Sequence, residues 1–445
     1  MEKDISIFYL EEKNMLIINS IFLTIYIILF YIYNIKKKKN NFFIWYLIGQ
    51  SVFLHLPYLV IDLADYNHVL EADYVTKLKS LLIVLVSNII VLATYSISFF
   101  KVGSFKFKVN VKINKLFYYI LLAIYLYCFI YAIGIFSKIG LTNISNNMIL
   151  RNELQDLGPF VILLMIPLGF STFYWIKFID NVRIKNFLMA LIITAPTIFI
   201  AIIRGQRTDL ALIMIFPLIY YFYKKRSLII LGVATIFLFI ISSIYLMYFK
   251  VTTMYLNLSL KESLLNTIAN DMDRNWTLWV SIKKSTFLLN EIMPISYQGY
   301  FYTLLTFIPR SIAEFKGYST ETWFLYSLGK SEYSSWATFD INQINWGITM
   351  SGITEAVING GYLGVVFYSL ILGFIMKWMK TISLSFNKLY SVTFLIAFLF
   401  SGYSFYNIII IYFPIVITIM ILSVNELNKN SKLGKLKEIS NRFIN

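Results

Sequence analysis

Long apolar blocks separated by short lysine clusters set the pattern of this chain. Eleven blocks qualify as membrane-spanning helices: Met15–Tyr33, Phe42–Ile61, Ser80–Phe100, Leu116–Phe136, Pro159–Ile176, Phe187–Ile203, Leu210–Tyr223, Leu228–Phe249, Gly352–Met376, Tyr390–Tyr406 and Ile408–Leu422. A hydrocarbon core needs roughly 20 apolar residues in a helix, so the seventh and eleventh are short. The pattern predicts an all-α polytopic membrane protein. Its organisation reads as eight spans over residues 1–249, a long loop over 250–351, further spans over 352–422 and a basic tail over 423–445. Met1–Asn14 carries Glu2, Asp4, Glu11 and Glu12 where a cleavable signal would be basic, so the first block is expected to anchor the chain.

Charge then gives an orientation. Alternating sides after each span collects 23 basic and three acidic residues on one face, against 16 and 20 on the other. The basic face is cytoplasmic by the positive-inside rule. The N-terminus is therefore expected outside the cytoplasm and the C-terminus inside, in a plasma membrane. The net charge of +16 is then topogenic and lipid-facing, and no nucleic-acid partner is implied.

Composition agrees. The chain is 58% hydrophobic and 14% charged, where soluble domains average roughly 45–50% and about 25%. One cysteine, Cys128, excludes an intrachain disulfide or thiolate metal site. Two histidines, His55 and His68, leave too few ligands for a histidine metal centre. No metal and no cofactor are expected.

The loop Lys250–Ser351 is expected outside the cytoplasm, with amphipathic helices over Lys261–Asn275 and Tyr297–Phe307. It holds five of the eight tryptophans, and loops of that length are usually functional. Its rings read either as an aromatic belt at the headgroups or as a sugar-binding surface, with Trp276, Trp323, Trp336 and Tyr300 stacking on pyranose faces. Arginine is rare (8 against 31 lysines), yet five of the eight fall on the outer face: Arg151, Arg204, Arg207, Arg274 and Arg310. Guanidinium grips phosphate oxygens in two places at once, which ammonium does not. Arg204-Gly205-Gln206-Arg207-Thr208-Asp209 is squeezed between two apolar blocks and reads as an anion clamp, or as a snorkelling turn paired with Asp209. Arg310 and Lys316 form a second candidate clamp behind Pro309.

Glu355 stands at the mouth of the ninth block and reads as a general base or as the partner of an arginine. Gly360, Gly361 and Gly364 read as close helix packing. Asp271-Met272-Asp273 is the one metal alternative, or a helix cap before Arg274.

At these residues the chain resembles the Wzy-type oligosaccharide repeat-unit polymerases of bacteria. The resemblance rests on Arg204–Arg207, on Pro309-Arg310-Ser311-Ile312 with Lys316, on Gly352…Glu355…Asn359-Gly360-Gly361…Gly364, and on Arg151-Asn152-Glu153. Where that family often has tryptophan-proline before the lysine, this chain has Ala313-Glu314-Phe315. The resemblance implies a GT-C-like glycosyltransferase building O-antigen or capsular polysaccharide on the outer face of the membrane. Donor and acceptor would be undecaprenyl-diphosphate-linked oligosaccharides, with a chain-length regulator as a further partner. It also implies a metal-independent reaction in which Arg204, Arg207 and Arg310 hold the diphosphate, backed by Lys316, Arg151 and Arg274. Glu355 would be the base, with Asp273 and Glu314 as alternatives. A ligase or a lipid-linked-glycan flippase are the rival readings.

Orientation is testable directly. Ser285→Cys should react with an impermeant thiol reagent in intact cells; labelling only after permeabilisation would invert the topology.

Overall fold

A computed structural model describes residues 2–37, 41–97, 111–139, 158–203, 207–225, 260–287, 297–305, 317–329 and 349–444, with the single positions 229, 232 and 308. Among the described residues there is no strand, and the fold is all-α. The helices are α1 (Glu2–Phe30), α2 (Phe42–Gln50), α3 (Leu56–Leu63), α4 (Tyr74–Ser96), α5 (Val111–Ile139), α6 (Ile166–Asp180), α7 (Ile184–Ile203), α8 (Arg207–Lys225), α9 (Leu260–Thr267), α10 (Asn275–Phe287), α11 (Gln298–Leu304), α12 (Thr320–Gly329), α13 (Gly352–Ser385), α14 (Tyr390–Leu399) and α15 (Phe405–Ile444). Polar caps set some of the starts. Asp73 accepts from the Thr76 N–H at 2.8 Å before α4, and Asn41 from the Phe43 N–H at 3.1 Å before α2.

Among the described residues, eight helical stretches are long and apolar enough to cross a membrane. They lie in α1, in α2 with α3, and in α4, α5, α6, α7, α13 and α15. Eight of the expected eleven are matched among the described residues. α8 carries the seventh block but has Arg207, Asp209, Lys224 and Lys225 within its 19 residues. α14 is short, and the eighth block, Leu228–Phe249, lies outside the described residues.

The chain groups into two compact units, one from Met1–Lys101, Asn257–Lys380 and Phe394–Ile409, the other from Val102–Leu256, Thr381–Thr393 and Ile410–Asn445. In the first unit, α1, α2 and α4 are tied by buried polar contacts. Gln50 and Asn88 exchange two amide hydrogen bonds of 2.8 Å, and Asn88 also donates to the Tyr26 hydroxyl at 3.0 Å. Away from water such pairs specify which helix faces meet. The same unit holds a core in which Trp276, Trp279, Trp323 and Phe324 pack with Met15, Tyr58 and Ile358. These tryptophans are therefore core residues. In the second unit, α6 packs on α7 and α8. Pro196 lies within α7, and the Ile193 carbonyl one turn before Thr197 accepts from the Tyr125 and Thr197 hydroxyls, both at 2.9 Å, which ties α5 to α7.

Close packing in the first unit has a sharp test at Gly49. A Cβ there would collide with the Phe398 carbonyl and the Ser401 hydroxyl. Gly49→Ala should cost about 1–3 kcal/mol of stability, read as a lower melting temperature in detergent; an unchanged value would contradict this packing.

Candidate functional site

The most polar buried cluster of the first unit forms where α11, α12, α13 and the start of α15 meet. It begins with a break in α13: Gly361 has φ 57° and ψ −143°, a conformation that side chains other than hydrogen resist. Helical bonding is interrupted there, and the Asn359 carbonyl accepts from the Tyr297 N–H at 3.0 Å. The Asn359 side chain does the rest. Its Oδ1 accepts from the Gly299 N–H at 3.0 Å, and its Nδ2 donates to Thr320 Oγ1 and to the Glu355 carbonyl, both at 2.9 Å. One amide thereby joins α11, α12 and α13. The expected close packing of glycines holds for Gly360, where a Cβ would meet the Tyr297 ring at 2.5 Å. The role of Gly361 is conformational.

Glu355 projects from the first turn of α13 and is fully buried. Its Oε1 accepts from Thr320 Oγ1 at 3.3 Å and its Oε2 from the Phe405 N–H at 2.6 Å. Glu321 on α12 is a second buried carboxyl, whose Oε1 accepts from Ser404 Oγ at 2.5 Å and Asn407 Nδ2 at 2.6 Å. Burial pushes the Glu321 pKa up to about 7, against the lowering effect of the Ser404 bond. Among the described residues no basic side chain lies at ion-pair distance from either carboxyl.

Beside this cluster runs an apolar groove of about 510 Å³, walled by Tyr300, Phe301 and Leu304 from α11, by Phe367 and Ile371 from α13, and by Phe405. Phe301, Leu304, Phe367 and Ile371 are each more than half exposed, so the groove opens on the outer surface. Phe405 belongs to both places, lining the groove and donating its N–H to Glu355. The Tyr300 hydroxyl is buried without a hydrogen-bond partner among the described residues. Burial, then the charge of Glu355, hold its pKa well above the usual phenol value.

Other expected site residues are placed elsewhere. Arg274 is 1% exposed, donates Nε–H to the Gly402 carbonyl at 2.8 Å, and lies over the Phe53 and Tyr403 rings. These contacts engage its guanidinium in the fold. Asp273 caps α10 through the Asn275 N–H at 2.9 Å, the alternative the sequence offered, and its other oxygen faces His68. Trp276 and Trp323, expected to stack on sugars, are 4% and 7% exposed in the core and leave no ring face open. The expected helix Lys261–Asn275 breaks at Asp273 and Arg274 for the same capping reason. Arg151, Arg204, Arg310, Glu314, Lys316 and Trp336 lie outside the described residues, and Arg207 is described only in its backbone, at the start of α8. Glu321, Thr320 and Asn407 escaped the sequence reading. The one signal for them is an acid inside the otherwise apolar run Thr320-Glu321-Thr322-Trp323-Phe324.

A second polar cluster lies at His68, between α3 and α4. Its Nδ1 is 2.6 Å from Asp273 Oδ2 and its Nε2 3.3 Å from Asp62 Oδ1. Burial disfavours the imidazolium, but hydrogen bonds to both aspartates outweigh it, and the pKa stands at about 9. Among the described residues no group of three or more His, Cys, Asp or Glu side chains is arranged to hold a metal ion.

Comparison of the chain with protein-family models, with curated proteins and with solved structures finds no match.

The His68 contact predicts a pH dependence. A folded pKa of about 9 against an ordinary 6.5 contributes stability that is complete below 6.5 and lost as pH rises through 9. The total is on the order of 3 kcal/mol. Melting temperature should fall across that window, and His68→Gln should flatten the slope; parallel slopes would contradict the ion pair.

Proposed function

We propose that this chain is a membrane glycosyltransferase that joins oligosaccharide repeat units carried on a polyprenyl diphosphate, working on the face away from the cytoplasm. The observation that carries this reading is a buried carboxyl, Glu355, at the edge of an apolar groove open to the outside of a polytopic helical protein. A lipid-linked sugar needs both: an apolar channel for part of the polyprenyl chain and a base near its polar head.

The chemistry follows from those parts. An acceptor hydroxyl attacks the anomeric carbon of the donor sugar as the bond to the diphosphate breaks, and the diphosphate leaves with the electron pair. Glu355 takes the hydroxyl proton. Arg204, Arg207 and Arg310 neutralise the charge growing on the diphosphate, as the resemblance to repeat-unit polymerases implies. Such preorganised donors are often the largest single contribution to a barrier.

A transporter of lipid-linked glycans is the second reading, and the break in α13 at Gly360 and Gly361 favours it. Interrupted helices are a habit of transporter binding sites. A ligase receives less support, since the one histidine between spans that such an enzyme would draw on, His68, is buried between two aspartates.

The readings separate in cells lacking this chain. Loss of a polymerase leaves single repeat units on the lipid outside, loss of a ligase strands long chains there, and loss of a transporter traps intermediates inside. In the purified protein, Arg→Lys at position 204, 207 or 310 should keep the fold and slow polymerisation about a hundred- to a thousand-fold. Near-normal rates in all three would remove the clamp from the mechanism.

A further inference from the structure

Two buried acids held by adjacent neutral donors raise a question the transfer chemistry leaves open. Thr320 and Glu321 are consecutive, as are Ser404 and Phe405. The first of each pair of neighbours serves one carboxyl and the second belongs to the other: Thr320 Oγ1 and the Phe405 N–H bond Glu355, while Ser404 Oγ bonds Glu321. Asn407 completes the set. Both carboxyls are buried, at 0% and 6% exposure for Glu355 and Glu321, and each lies within electrostatic range of the other. Among the described residues, the other titratable groups coupled to Glu355 are Tyr300 on α11 and Tyr368 on α13. None of these is a cation. The Tyr300 hydroxyl, buried within range of Glu355 and without a hydrogen-bond partner among the described residues, is a further donor.

Neutral donors do not repay two full negative charges held away from water. A single proton held between the acids removes the conflict, as in other carboxyl pairs. We infer that Glu321 and Glu355 work as one proton-sharing carboxyl pair, in which Glu321 is a positioning residue that sets when Glu355 is free to accept a proton. The pairing is argued from the burial of both acids and the adjacency of their donors along the chain; its use in catalysis rests on the transfer reaction proposed above. In that reaction the pair begins with one proton. Glu355 gains a second from the acceptor hydroxyl while the new glycosidic bond forms and the diphosphate departs, and one proton is released to reset the pair. Excess acid fills both carboxyls beforehand and leaves no base.

Infrared spectroscopy of the full-length protein in lipid nanodiscs tests the pairing without any substrate. The wild type should show the carbonyl stretch of a protonated carboxyl at neutral pH, and this band should vanish at alkaline pH. Glu321→Gln and Glu355→Gln should each move the ionisation of the remaining carboxyl to lower pH, by about one pH unit or more. Ser404→Ala keeps both acids and removes one donor to the charged form of Glu321, so it should move the band's disappearance to higher pH; it serves if either glutamine variant fails to fold. In polymerisation assays Glu321→Gln should displace the acid limb upward, because the pair loses activity at its lower ionisation and a lone Glu355 ionises above that, a shift that a purely structural glutamate would not produce. Absence of the band at neutral pH, or a limb and a band unmoved by these substitutions, overturns the pair. A band that behaves as described in a protein that transfers no sugar leaves the pair standing and rejects the glycosyltransferase reading.

Discussion

Polar atoms shut away from water must find partners inside the protein, and around Asn359 that single demand arranges the candidate site. Gly361 takes a conformation that interrupts α13 and frees the Asn359 carbonyl for Tyr297. The adjacent side-chain amide then holds Gly299 and Thr320. Thr320 turns its hydroxyl to Glu355. Each partner is met by the next, so the carboxyl of Glu355 is fixed by a sequence of hydrogen bonds that starts at a break in the helix. A fully connected network of this kind specifies geometry, because losing one member strands the others.

The same demand explains why so much polar chemistry in this chain is structural. Arg274 spends its guanidinium on a backbone carbonyl and two rings, and Asp273 divides its oxygens between a helix cap and His68. In the second unit, Ser171 and Trp175 both turn to Thr194, joining α6 to α7. Against that background Glu355 and Glu321 differ. They are satisfied as hydrogen-bond acceptors yet, among the described residues, not neutralised as charges. This difference is what the proposed chemistry draws on.

Hydropathy made the architecture legible in the sequence, because a bilayer fixes helix length and composition so tightly. The number of crossings was less so: α8 has an apolar block of the right kind whose charged ends weaken it. At the site, Glu355 could be read from its place at the head of an apolar block next to small residues. Glu321 could not, since it lies in a short helix whose burial depends on partners more than eighty residues away, Ser404 and Asn407. The tryptophans were ambiguous for a related reason. A ring that stacks on a sugar and a ring that fills a core have the same sequence signature, and only the packing of Trp276 and Trp323 against Phe324 and Met350 tells them apart. Asp273 and Arg274 were visible as a charged pair, but a cap and a strut are recognisable only once α10 and Gly402 are in place.

The central claim is that a lipid-linked substrate lies in the groove of α11 and α13 with its polar head at Glu355. Photo-crosslinking with a polyprenyl diphosphate carrying a diazirine on its first isoprene units tests it most directly. The account predicts adducts on Tyr300, Phe301 and Phe367, suppressed by excess unlabelled polyprenyl diphosphate. Adducts confined to other helices, or labelling of this groove that the unlabelled lipid fails to compete, would contradict it.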